Sequence, residues 1–375
     1  PRPTRPVPDQ GVIFEALQMI RSAKKPLILA GNGVIRDFAS KELRDFAEMT
    51  GIGVINTFMA KGVVSRDSPL SLFTIGLQVK DLVFRAIEEA DLVITVGYDM
   101  AEYPPKMWNP DSEKKLIHLD FVPAEVDENY RVEIEVIGDI SSALQMLSDG
   151  THDNPFTIDM SSQHSVRHDM IRELSEHDDD DTKGPMRPQK ILADVRAALG
   201  PADVLLSDVG AHKMWIARHY QCYEPNTCLI PNGFASMGFA LPGAISAAMI
   251  DPEHKVMAIA GDGGFLMNLQ EMETARRLNS DIVVMVWEDG GYGLIEWKQD
   301  NTYGGHTDLS FGNPKWGLLA ESFGWGYDYV DESPKLLETI KKALETPGPS
   351  LIVIPIDYRE NAILTRRLGE ITMGL

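Results

Sequence analysis

Asp262 and Asp289 stand 27 residues apart, each set among glycines, in Gly261-Asp262-Gly263-Gly264-Phe265 and Glu288-Asp289-Gly290-Gly291-Tyr292-Gly293. Two carboxylates beside glycines with open backbone N–H groups suit a divalent cation and a phosphate. Magnesium takes one or two protein carboxylates and fills the rest of its octahedron with phosphate oxygens, carbonyls and water. Glycine lets the backbone approach a phosphate with no Cβ in the way. Gly-Asp-Gly alone reads better as a turn, and it is the second aspartate that points to a metal diphosphate site. The elements that must position the two are legible: residues 256–260 form a buried strand, 266–278 a helix and 282–287 a second strand. In an open parallel sheet the carboxyl ends of neighbouring strands form the ligand crevice, and both aspartates fall at that edge.

The 375-residue length accommodates about two domains. An apolar fraction of 43% is enough for real cores, and no run approaches transmembrane length. The formal charge of −21 argues against nucleic acid and anionic membrane as partners. An anionic cofactor held by a cation and backbone donors stays compatible with it. Cys222 and Cys228 are the only cysteines, too few for a disulfide framework, so a reducing cytoplasm is expected. The proline-rich start, Pro1-Arg2-Pro3-Thr4-Arg5-Pro6-Val7-Pro8, reads as an interdomain linker over residues 1–10, preceded by something further.

From residue 11 helical and strand patterns alternate. Val12, Ala16, Leu17, Met19 and Ile20 mark a helix, followed by a strand at 26–30. Helices over 41–49 and 79–90 lead into strands at 53–56 and 92–96, with further strands at 116–120 and 134–137. Such alternation predicts an α/β fold, a doubly wound, mainly parallel sheet with helices on both faces. Gly31-Asn32-Gly33 lacks the third glycine of a dinucleotide fingerprint and reads as a helix-packing turn. Between 151 and 186 the composition turns acidic, with Asp178-Asp179-Asp180-Asp181 read as a solvated loop, and a linker is placed there. Two domains result, 11–150 and 187–375.

The second domain carries further candidates. A strand at 204–206 ends at Ser207-Asp208-Val209-Gly210-Ala211-His212, where His212 could donate to a phosphate or serve as a structural hydrogen-bonding residue. Asn232-Gly233-Phe234-Ala235-Ser236-Met237-Gly238-Phe239-Ala240-Leu241-Pro242 is rich in small residues, which suits close backbone approach to a ligand or between helices.

Taken with Ala320-Glu321-Ser322-Phe323-Gly324, these motifs resemble the thiamine diphosphate enzymes and, within them, the acetolactate synthases, from Pro6 to about Tyr358. The resemblance implies a central Rossmann-like domain followed by a thiamine diphosphate-binding fold. It implies that Asp262, Asp289 and the Gly291 carbonyl hold Mg2+ against the diphosphate. Gly261, Gly263 and Gly264 would supply backbone donors, with Val209, Gly210, His212, Asn232, Gly233, Tyr292 and Gly293 around the cofactor. Met237 matches the bulky residue beneath the cofactor that forces it to bend. Bending brings its aminopyrimidine nitrogen to the carbon that must lose a proton. Many relatives carry asparagine at the position of Asp289, and aspartate is typical of the catabolic, flavin-independent branch.

FAD is not expected. The loop that would meet it is replaced by Phe73-Thr74-Ile75-Gly76-Leu77, and an arginine-bearing segment by Gly97-Tyr98-Asp99-Met100-Ala101-Glu102-Tyr103. Lys298, following Trp297, stands near where relatives place a tryptophan or glutamine, so the substrate stays open. The family's pyrimidine-binding domain, with the glutamate that activates the cofactor, has no counterpart in this sequence. The resemblance therefore implies a partner domain in cis or trans, a homodimer or tetramer, no catalytic residue on this chain beyond the supporting Met237, and little turnover alone. The implied reaction joins two pyruvates into acetolactate with loss of CO2, in branched-chain amino acid or acetoin metabolism. A thiamine diphosphate decarboxylase or lyase on another 2-oxo acid, and a non-catalytic assembly or regulatory module, are the alternatives.

Overall fold

The computed structural model describes residues 5–76, 82–159 and 161–361. Leu77, the first residues of the 79–90 helix and residues 1–4 of the linker lie outside the described residues. The chain divides into two compact units, Pro1–Glu173 with Cys222–Asn226, and Leu174–Gln221 with Thr227–Leu375. No helix among the described residues is long and apolar enough to cross a membrane.

In the first unit six strands form one parallel sheet: β1 (Pro26–Ala30), β2 (Val54–Asn56), β3 (Ser71–Thr74), β4 (Leu92–Val96), β5 (Lys115–Asp120) and β6 (Ile134–Ile137), in the order β3-β2-β1-β4-β5-β6. The runs of β1 and β4 are buried at every residue, as a sheet covered on both faces requires. Leu17 and Ile20 of the helix Gln10–Ser22, Leu43 and Phe46 of Ser40–Thr50, and Leu144 and Leu147 of Ile140–Asp153 share one core with Ile28, Ile94 and Ile117. Gly31-Asn32-Gly33 is the tight contact its spacing suggested. A Cβ on Gly31 would come 2.4 Å from the Gly97 carbonyl oxygen, and one on Gly33 2.6 Å from the Gly97 Cα.

The stretch read as an acidic linker contains a helix that the sequence did not reveal, Ser161–Leu174. Only Gln163, Val166 and Met170 of it are buried, so its apolar period is faint. Polar anchors hold it instead. Gln163 Oε1 accepts from Gly53 N at 2.9 Å, its Nε2 donates to the Pro26 carbonyl at 3.0 Å, and Arg167 donates to the Ser71 and Arg66 carbonyls. Within the aspartate run Asp180 is an ion-pair partner of Arg187, and its carbonyl accepts from Ser333 Oγ. It is not a freely solvated residue.

The second unit holds β7 (Val204–Ser207), β8 (Cys228–Leu229), β9 (Val256–Gly261), β10 (Ile282–Glu288), β11 (Gly326–Tyr329) and β12 (Ser350–Pro355), all parallel, in the order β11-β12-β10-β9-β7-β8. The chain leaves β7 toward β8 on one side and returns to β9 on the other, so the strand order reverses between β7 and β9. Ligands of open α/β sheets bind at such a reversal. The single helix expected over 266–278 is two, Asp262–Met267 and Glu271–Arg277. Asn268 breaks it because its side chain is used elsewhere: Nδ2 donates to the Gly238 carbonyl at 2.8 Å. Asp262-Gly263-Gly264 is accordingly the first turn of a helix rather than a free glycine turn.

Replacing Gln163 with leucine would strand the buried Gly53 N–H and Pro26 carbonyl. A loss of about 1–3 kcal/mol is expected for each stranded group, and chemical denaturation of the wild type and Gln163→Leu measures it.

Candidate functional site

At the carboxyl ends of β7, β9, β10 and β12 lies a cleft of about 530 Å3. It is lined by most of the residues singled out above: Val209, Gly210 and His212 after β7, Met237, the turn from Gly261 to Gly264, and Asp289, Gly291, Tyr292 and Gly293 after β10. Asn232 and Gly233 do not line it. The Asn232 Oδ1 accepts instead from the buried Lys213 Nζ at 2.6 Å, and Gly233 faces open space. Lys298, on the helix Gly293–Tyr303, is exposed and does not line the cleft either.

Asp262 is fully buried and held by four donors. Its Oδ1 accepts from Gly263 N at 2.8 Å, and its Oδ2 from Gly290 N at 2.7 Å, Asn313 Nδ2 at 2.7 Å and Asp289 N at 3.3 Å. Gly263 N–H is thus given to Asp262, not left open for a ligand. The Asp289 residue is exposed at the cleft mouth, yet its carboxyl faces Asp262. Loss of water and the Asp262 charge push it up to about 7. A divalent cation between the two carboxyls would relieve that repulsion.

The glycines make room for the walls of the cleft itself. A Cβ at Gly263 would lie 3.0 Å from Tyr292 and 3.2 Å from Phe311, one at Gly264 3.2 Å from the Asp208 carboxylate, and one at Gly261 3.3 Å from the His212 ring. Behind the 289–293 loop runs a second segment, bridged antiparallel at Gly291 and Ser310, with Phe311 N donating to the Gly290 carbonyl at 2.9 Å. Asn313 at its end reaches Asp262 and also Glu288, which accepts from Trp316 Nε1 at 2.6 Å.

His212 is 2% exposed. One ring nitrogen bonds the Asp208 backbone carbonyl, while Nε2 is buried with no partner. Burial holds the imidazole down to about 3. The ring is therefore neutral at physiological pH, and with its N–H given to Asp208 it offers the cleft an acceptor lone pair. This differs from the donor role read from the sequence. Asp208 has a second function: its carboxylate accepts from Val209 N at 2.6 Å and Gly238 N at 2.9 Å. The residue after Met237 is thereby pinned to the end of β7, which sets Met237 in the cleft.

Asp208, Asn313, Glu288 and Tyr358 are the functional neighbours that sequence reasoning left without a role. Only the Ser207-Asp208 position, at a strand end before a glycine turn, carried a usable signal. Tyr358 closes the cleft after β12.

Comparison with known proteins adds the family. Residues 208–354 match the thiamine pyrophosphate enzyme C-terminal TPP binding domain, and residues 13–147 match the thiamine pyrophosphate enzyme central domain. The chain belongs to the thiamine pyrophosphate enzymes. The C-terminal domain match of this thiamine pyrophosphate enzyme spans every cleft residue except Tyr358. Among curated relatives, the acetolactate synthase of Bacillus subtilis (strain 168) is 34% identical over 356 residues, 93% of this chain and 61% of that protein. The catabolic acetolactate synthase of Raoultella terrigena is 31% identical over 369 residues, 96% of this chain and 65% of that protein. A probable acetolactate synthase large subunit of Methanococcus aeolicus is 30% identical over 365 residues, 92% of this chain and 60% of that protein. The chain therefore spans less than two thirds of the length of each of these relatives.

The raised Asp289 carboxyl has a consequence for stability. A carboxyl whose pKa is higher folded than unfolded favours the folded state at low pH, and that contribution is lost as pH rises from the ordinary carboxylate range through about 7. Asp289→Asn, uncharged and of the same shape, should raise the melting temperature of the metal-free protein at pH 8 and change it little at pH 4. Scanning calorimetry at the two pH values checks this.

Proposed function

We propose that the protein is a thiamine diphosphate- and Mg2+-dependent carboligase of the acetolactate synthase type, forming acetolactate and CO2 from two pyruvates. The observation that carries this reading is the Asp262–Asp289 pair at the carboxyl ends of the neighbouring strands β9 and β10, beside the strand-order reversal of a thiamine pyrophosphate-binding domain. The site fits the group on its own terms. Its two carboxylates suit a hard cation, the raised Asp289 carboxyl shows a repulsion that a cation would relieve, and its floor is built of glycines.

In this reading Asp262, Asp289 and the Gly291 carbonyl hold the metal. Val209, Gly210, His212, Tyr292 and Gly293, with Gly261 and Gly264, surround the diphosphate. Met237, half-buried and pinned through Gly238, supplies the apolar support beneath the cofactor. When bound, thiamine diphosphate supplies the electron sink for 2-oxo acid chemistry. Asp262 and Asp289 are the only carboxylates among the described residues lining the cleft, and the metal claims both. We therefore assign the activating glutamate to a pyrimidine-binding domain, supplied in cis or trans within a homodimer or tetramer.

The catabolic, flavin-independent branch is favoured by aspartate at 289 and by the first unit. There the half-buried Glu102 carboxylate accepts from Asn32 N at 3.4 Å and Met59 N at 3.0 Å, placing an acidic side chain at the turn where a dinucleotide phosphate would sit. Two buried cysteines, Cys222 and Cys228, are in keeping with a reducing cytoplasm. Lys298 motivates the second reading, a decarboxylase or lyase acting on another 2-oxo acid.

The full-length protein supplied with pyruvate, thiamine diphosphate and Mg2+ should release acetolactate. Acetaldehyde and CO2 as the sole products would overturn the carboligase assignment in favour of the second reading. In calorimetric titration, Asp289→Ala should weaken Mg2+-dependent thiamine diphosphate binding by about tenfold or more. An unchanged affinity would remove Asp289 from the metal site.

A further inference from the structure

Tyr358 stands outside the two matched domains and outside every motif read from the sequence, yet it lines the cleft that holds Asp262 and Asp289. The segment that carries it is fastened along its length. Ile356 N donates to the Glu288 carbonyl at 3.1 Å and Asp357 N to the Met186 carbonyl at 2.8 Å. The Glu360 carboxylate accepts from Arg187 Nε at 2.8 Å and Gln189 Nε2 at 2.7 Å, and Asn361 Oδ1 accepts from Trp215 Nε1 at 2.7 Å. The tyrosine ring lies 6.3 Å from that of Trp287, which is buried. A side chain held this firmly at a cleft wall has a fixed position from which to act.

Its phenol oxygen accepts a hydrogen bond from the backbone N–H of His212, in the first turn of the helix Ala211–His219, and it sits within the field of Asp262 and Asp289. A hydroxyl that accepts there still has its own proton to give. The two carboxylates that line the same cleft, or an anion entering it, can take that proton. Once a cation occupies the carboxylates, the anion is the remaining acceptor. We propose that Tyr358 is a ligand-binding residue whose hydroxyl donates to a diphosphate oxygen, passing on the N–H polarity of the helix that begins beside it. This rests on the thiamine diphosphate reading above.

Tyr358→Phe keeps the ring against Trp287 and removes only the hydroxyl, so it separates binding from packing. Titrations of the full-length protein with thiamine diphosphate and with inorganic pyrophosphate, each with saturating Mg2+, should show both affinities weakened on the order of tenfold, the loss expected for a hydrogen bond to a charged group. The ligand-free melting temperature and the tryptophan emission spectrum should match the wild type. A change below twofold for both ligands would overturn the inference. So would a lowered ligand-free melting temperature that accounts for the whole loss, since that is the mark of a structural role. Asp289→Ala serves as the control. If it weakens binding while Tyr358→Phe does not, the inference falls and the cofactor reading stands; if the wild type binds neither ligand, both fall.

Discussion

Two like charges brought to one edge of a sheet repel each other, and the second unit is arranged around tolerating that repulsion. In water two carboxylates would stay apart, while in the cleft Asp262 and Asp289 are close enough to share a hydrogen bond. Four donors around Asp262 make this possible, three of them backbone N–H groups from the turns that follow β9 and β10. The turns can present those donors because β9 and β10 are neighbours in register, with Gly261 beside Trp287. Sheet order, turn conformation and carboxylate chemistry are in this way one constraint seen at three scales. The residual repulsion is what a cation would relieve, so the site is preorganised for a ligand at a cost to the ligand-free protein.

Much of this was legible in the sequence because it depends on local pattern. Buried parallel strands are continuous apolar runs, and 92–96, 256–260 and 282–287 announce themselves as such. The two aspartates were visible because each follows such a run directly. What stayed hidden depends on contacts between distant residues. Asn313 lies 51 residues from the Asp262 that it supports, and no spacing rule joins them. The helix break at Asn268 is decided by Gly238, 30 residues earlier. Ser161–Leu174 went unread because its docking is done by Gln163 and Arg167, whose side chains carry no helical period. Asn232 belonged to a motif, but the buried Lys213 takes its side chain away from the cleft.

The two units use one architecture to different ends. Both have a strand-order reversal that in such sheets invites an anion. In the second unit a glycine-floored cleft opens beside it. In the first unit the half-buried Glu102 carboxylate lies at that edge, accepting from Asn32 N and Met59 N, and Gly31 and Gly33 pack against Gly97. Fold likeness alone would assign both edges the same work, and only their side chains tell them apart.

The glycine at 264 has a reach beyond its own position. Its missing Cβ leaves space that the Asp208 carboxylate fills, and that carboxylate holds Gly238, which in turn sets Met237. A methyl group at 264 would press on the carboxylate and, through it, displace the side chain that supports the far side of the cleft. The floor and the opposite wall are mechanically one piece. A lineage of such proteins could vary either only by varying both together, so the path to a differently shaped cleft runs through paired rather than single substitutions.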